Sequence, residues 1–174
     1  MAKDKRTAPN ISTLQKFLKK DTLLPVYFFF GEDHYSIEAA LRAIEDLVRP
    51  MLDSEFDREV ISGKDKTITE VLDMASSFPF GSGKRLIIFK DFDSDKKNKK
   101  ALASYVKDPP SFTVLVIIKY GTISGFETEP YSILCDKNYM FECKEPKRDE
   151  LVSWIEREVV KKNKVISPEN AALL

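Results

Sequence analysis

The sequence predicts an α/β domain built on a mostly parallel sheet flanked by helices. Two observations carry this reading. Apolar runs of strand length, "PVYFFF", "RLIIF" and "TVLVII", are continuous rather than alternating, which suits strands buried on both faces. Between them lie stretches whose apolar residues recur at helical spacing, so strand and helix alternate along the chain as they do in parallel α/β folds.

Taken in order, "NISTLQKFLKK" predicts a short helix, with Asn10 and Ser12 as cap candidates and Leu14, Phe17 and Leu18 on one face. Residues 25–30 form the first strand, ended by Gly31. Ile37, Ala40, Leu41, Ile44 and Val48 mark a helix over about 33–49. Glu59, Val60 and Ile61 give a weaker strand signal. Thr67 and Glu70 make a capping box before the stripe Ile68, Val71, Leu72 and Ala75. Residues 85–89 form a strand. A helix over 95–107, marked by Leu102, Tyr105 and Val106, stops at Asp108-Pro109-Pro110. Residues 113–118 and 138–143 are further strands, the last with Tyr139, Phe141 and Cys143 alternating. Leu151, Trp154, Ile155 and Val159 mark a helix over about 148–163. Ser167-Pro168 then reads as a helix start, with Ser167 as N-cap and only Asn170 to Leu174 beyond it, as expected of a fragment of a longer protein.

The 174 residues suffice for one ordinary domain plus a small addition, and 43% hydrophobic content can fill a sizeable core. Lys+Arg and Asp+Glu both number 28, a balance that argues against a dedicated DNA-binding or membrane-surface module. "MAKDKRTAPN" has no apolar core of a signal peptide, and no apolar run approaches a membrane span, so a cytoplasmic location is expected. Cys135 and Cys143 read as reduced thiols rather than a disulfide or metal site. His34, the single histidine, has no ligand partners at metal spacing, and no Ser-His-Asp or Cys-His arrangement can be built from it.

Gly81-Ser82-Gly83-Lys84 resembles the end of a phosphate-binding loop, and fails the test. The motif needs glycine where Phe78 stands and a hydroxyl where Arg85 stands. It also needs a strand before it and a helix after it, so that the helix N-terminus faces the anion. Here the order is reversed, and a helix-to-strand turn with Gly81 and Gly83 at positive φ is the plainer reading. The turn where phosphate belongs in such folds, Gly31-Glu32-Asp33-His34, carries acids that occupy the positive helix end and repel phosphate. Asp91 ends a strand where a magnesium-holding Asp sits in P-loop enzymes, but has no phosphate loop to serve. Lys96, Lys97, Lys99 and Lys100 read as a solvated face. A nucleic-acid contact there lacks interleaved aromatics. The crowding of Phe78, Pro79 and Phe80 in a surface loop is unexplained by any of these readings.

"PVYFFFGEDHYSIEAALRAI", "ITEVLDMASSFPFGSGKRLIIFKDFD", "LASYVKDPPSFTVLVIIKYG" and "DELVSWIEREVVKKNKVISPENAALL" resemble, in order and spacing, the delta subunit of bacterial DNA polymerase III. The resemblance runs from about residue 24 to the end. It implies a P-loop NTPase (AAA+)-like core with a degenerate nucleotide site over residues 1–146, and the truncated start of a helical lid over 147–174. It implies a clamp-loader function: binding the ring-shaped sliding clamp (the beta subunit) and helping to open it for loading onto primed DNA during replication. No cofactor and no catalysis by this chain itself are implied, although it would be part of a DNA polymerase (nucleotidyltransferase) holoenzyme. Other loader subunits would be met through a further C-terminal region, and DNA as part of the complex. No membrane partner is implied.

The family's clamp-binding element is an adjacent hydrophobic pair, which falls here on Pro79 and Phe80 with Phe78 beside them. Pro79 departs from the aliphatic residue seen at this place in some relatives. Lys84 and Arg85 would steer the loop toward an acidic clamp surface. The alternatives are that Phe78 and Phe80 fold back into the core, that Lys84 and Arg85 are solvated charges without a partner, and that the chain is an active P-loop-type ATPase or kinase.

Overall fold

The computed structural model describes residues 8–16, 18, 23–81, 83–144, 159–160, 164–167 and 170. The chain divides into two units, Met1–Lys144 and Glu145–Leu174. In the first, the continuous apolar runs pair as parallel strands: β1 (Val26–Gly31), β2 (Arg58–Ser62), β3 (Arg85–Lys90), β4 (Thr113–Tyr120) and β5 (Met140–Cys143), in the order β2-β3-β4-β1-β5. The register sets Phe28 beside Ile117 and Met140, and Ile88 beside Val60 and Val116.

Because side chains alternate across a strand, each run feeds two cores. Phe28, Phe30, Ile87, Phe89, Leu115 and Ile117 face α2 (Ile68–Ser76), α3 (Lys96–Lys107) and α4 (Tyr131–Asp136). Tyr27, Phe29, Leu86, Ile88, Val116 and Phe141 face α1 (His34–Val48) and Leu14 of the N-terminal 3-10 turn Ile11–Lys16. The result is a sheet between two helical layers. Phe28 sits edge-on to Phe92 and Tyr131, with ring centroids 5.6 and 5.9 Å away. Truncating such a buried phenyl typically costs about 3–5 kcal/mol.

The helix starts follow the sequence signals. Asp33 caps α1 by accepting from the Ser36 N–H at 3.0 Å, and Asp95 caps α3 by accepting from the Asn98 N–H at 2.6 Å. The Thr67–Glu70 capping box is complete: Thr67 Oγ1 accepts from the Glu70 N–H, and Glu70 returns the contact by accepting from the Thr67 N–H at 2.7 Å. Asn10 accepts from the Ser12 N–H at 2.8 Å, though the element behind it is a 3-10 turn rather than an α-helix.

The sequence reading placed no element between β4 and β5. There the structure has α4, a six-residue helix that buries Tyr131 and Leu134. The helix expected over about 148–163 lies mostly outside the described residues. At the further expected helix start, the Asn170 N–H donates to Ser167 Oγ at 3.3 Å. Cys143 is buried and Cys135 half-buried, and the two do not form a disulfide.

Candidate functional site

In a parallel sheet, the segments that enter adjacent strands gather along one edge. Here the segments entering β2, β3 and β4 lie side by side: the 3-10 turn Glu55–Asp57, the loop 77–84, and residues 108–112. The loop 77–84 leaves α2 at Ser77 and joins β3 at Arg85, and its neighbours fasten it on both sides. The Lys84 N–H donates to the Met51 carbonyl at 2.8 Å, and the Arg85 N–H donates to the Phe112 carbonyl at 2.8 Å.

The last carbonyls of a helix have no partner inside it. At the end of α2 they are taken by side chains from the starts of β3 and β4. Arg85 Nη1 donates to the Met74 carbonyl at 2.8 Å, and Thr113 Oγ1 donates to the Ala75 carbonyl at 2.7 Å. Below the loop, the fully buried Asp57 carboxylate accepts from the Phe80 N–H at 2.9 Å and faces Arg85 Nε at 3.8 Å.

Above this support the aromatics point outward. Phe78 is 79% exposed and Phe80 74% exposed, so neither folds back into the core. Pro79 between them is half-buried. Each ring leans on another outside the loop: Phe78 on Phe112, centroids 4.8 Å apart, and Phe80 on Phe56, 5.8 Å apart. Phe56 is itself 74% exposed. Sequence reasoning missed Phe56, Asp57 and Phe112. None belongs to a periodic run, and an acid in "DSEFDREV" carries no mark of burial.

Arg85, expected as a surface charge, is only 7% exposed. Its guanidinium is used on Met74 and Asp57, so it holds the loop from beneath and presents no charge to a partner. Lys84 is half-buried and its Nζ donates to the Ser111 carbonyl, which ties the loop to the β4 entry. Gly81 does not adopt the positive φ expected of it. It is needed for closeness instead: a Cβ there would lie 2.4 Å from Asp53 Oδ2, and one on Gly83 would lie 2.4 Å from the Met51 carbonyl.

The Gly-Lys loop therefore sits at the N-terminal edge of the strands, opposite the edge where phosphate ligands bind in open parallel sheets. At the C-terminal edge, Gly31 and α1 are separated only by Glu32 and Asp33, and the Asp33 carboxylate takes the helix N-terminus for itself. Gly31 (φ 137°) presses against the Cys143 carbonyl, 2.0 Å from where a Cβ would stand. Lys90 pairs with Glu38 at 2.8 Å, a contact that raises the Lys90 pKa. Asp91 (φ 60°) accepts from Ser62 Oγ at 2.9 Å, and His34 stacks on Tyr120. Side chains of the protein thus engage one another across this edge. The lysines of α3 are solvated, with Lys99 over the Tyr131 ring and Lys107 paired with Glu129.

The family model described as DNA polymerase III, delta subunit, matches residues 27–144, which include β2 to β5, all of β1 but Val26, and the aromatic loop. The chain belongs to this family. The curated DNA polymerase III subunit delta of Bacillus subtilis is 29% identical over 112 residues, which cover 59% of this chain and 32% of that protein. The solved structure of the Bacillus subtilis DNA clamp loader delta protein (YqeN) matches with a TM-score of 0.74 and 25% identity. That match covers 93% of this delta-family chain and 50% of the solved one. The chain thus spans half or less of the length of each relative.

Proposed function

We propose that this chain is the clamp-binding part of a clamp-loader delta subunit, acting in the cytoplasm during DNA replication. The loop 77–84 inserts Phe78 and Phe80 into an apolar pocket on the sliding clamp, with Pro79 stiffening the turn between them, and so helps to open one clamp interface for loading onto primed DNA. One observation carries the reading: two phenyl rings stand exposed on a loop whose backbone is fastened to a buried ion pair. Exposed aromatics cost solvation and gain nothing for the fold, whereas rigid aromatic anchors are what protein–protein hot spots use. Family membership supports the sliding clamp as the partner. The solved relative is described as a clamp loader protein, and the same role fits here.

In this reading the core is related to the AAA+ ATPases and has lost its nucleotide site, because Asp33 fills the helix N-terminus that a phosphate would need. Residues 147–174 begin a helical lid, and contacts with other loader subunits and with DNA belong to the assembled complex. The reading is tested by capture of the chain on its cognate sliding clamp. Retention on the clamp, together with no magnesium-ATP binding by calorimetry, supports it. Nucleotide binding without clamp binding overturns it in favour of an active P-loop enzyme.

A further inference from the structure

We propose that Phe56, outside the loop, is a second-element anchor for the same clamp surface, so that the contact made by Phe78 and Phe80 extends onto a paired patch of Phe56 and Phe80. This rests on the clamp-binding reading above. Phe56 occupies the 3-10 turn Glu55–Asp57, a short element fixed at both ends. Its N–H donates to Ser54 Oγ at 3.2 Å, and the next residue is the buried Asp57. Asp57 in turn holds the Phe80 N–H at 2.9 Å. One carboxylate therefore sets the position of both rings, which meet at 5.8 Å with planes 51° apart.

Both rings keep 74% of their surface in water despite touching each other, so the fold gains little from either. A pocket that closes over the outer face of Phe80 must bring its rim within contact of a ring centred less than 6 Å away. Covering Phe56 at the same time removes water from around the Phe80 anchor, the arrangement in which a hot-spot residue contributes most. Because the turn and the loop are already fastened, neither ring has to be ordered on binding, which lowers the cost of association. The clamp is preferred as occupant over a second copy of the chain because the patch is continuous with the loop assigned to it.

The test is surface plasmon resonance of the full-length subunit on immobilised cognate clamp, with wild type, Phe56→Ala, Phe56→Leu, Phe80→Ala and the double alanine variant. Phe56→Ala should weaken binding by roughly tenfold or more with an unchanged melting temperature, and Phe56→Leu should restore part of the loss. The double variant should lose less than the product of the single losses, since contacting residues couple. Phe56→Ala within twofold of wild type, while Phe80→Ala binds poorly, overturns the inference and leaves the clamp-binding reading standing. Full binding by Phe80→Ala, or none by wild type, overturns both. Unchanged clamp affinity combined with altered self-association of Phe56→Ala in sedimentation overturns it in favour of a second copy.

Discussion

The main-chain N–H of Phe80 donates to the buried carboxylate of Asp57 at 2.9 Å, across 23 positions of sequence. That bond joins the segment entering β3 to the segment entering β2. With Arg85 on the other side of the carboxylate, it makes the exposed loop an extension of the sheet rather than a free connection. Rigid presentation of Phe80 follows from Asp57, which is fully buried beneath the loop.

Removing that support should be costly. Asp57→Ala leaves the Arg85 guanidinium buried without its counter-charge, a change worth about 3 kcal/mol. For a domain of this size, that corresponds to a fall in melting temperature of roughly 6–12 °C. Calorimetric melting of the variant against wild type checks it, and a shift under 2 °C would mean that the pair does not fasten the loop.

Gly81 and Gly83 should both resist substitution. A Cβ on Gly83 would stand 2.4 Å from the Met51 carbonyl, which also accepts from the Lys84 N–H, and one on Gly81 would stand 2.4 Å from Asp53 Oδ2 and 2.7 Å from Asp53 Cβ, an atom that side-chain rotation does not move. Gly83→Ala and Gly81→Ala are each expected to cost about 1–3 kcal/mol by overpacking. Denaturant midpoints of the two variants check it, and a midpoint equal to wild type for either would mean that the neighbour gives way.

The thiol of Cys143 should be inert in the native protein. Burial, aided by the nearby Asp33 charge, pushes its pKa up to about 12. The reactive thiolate is the deprotonated form, so at pH 8 its fraction is on the order of one in ten thousand. Labelling with a disulfide reagent at pH 8 should modify the half-buried Cys135 first and Cys143 only as the protein opens, with both reacting rapidly in denaturant. Rapid native labelling of Cys143, followed by peptide mapping, would contradict this.

The central strands were legible because β1, β3 and β4 are buried on both faces and so write uninterrupted apolar runs. Helix α2 was legible because Thr67 and Glu70 mark its start chemically. Helix α4 was not, since six residues cannot show a stripe and its first turn has no capping side chain. At the site, the exposed Phe78 and Phe80 were readable as an oddity of composition and through the family resemblance. Arg85 was misplaced because a positive residue next to a lysine at the end of a glycine-containing loop looks like surface, whereas its burial depends on Asp57 and Met74 arriving from other elements. Gly81 was read for its φ when contact with Asp53 explains it. Phe56 left no trace in the sequence because its meaning comes only from the strand order that sets β2 beside β3.

The central claim is that Phe80 anchors the chain to a sliding clamp, and clamp affinity of Phe80→Ala by surface plasmon resonance tests it most directly. The expected loss is at least ~2 kcal/mol, about thirtyfold in Kd, with a melting temperature equal to wild type, since the ring is exposed and supports little of the core. An affinity equal to that of wild type would contradict the account.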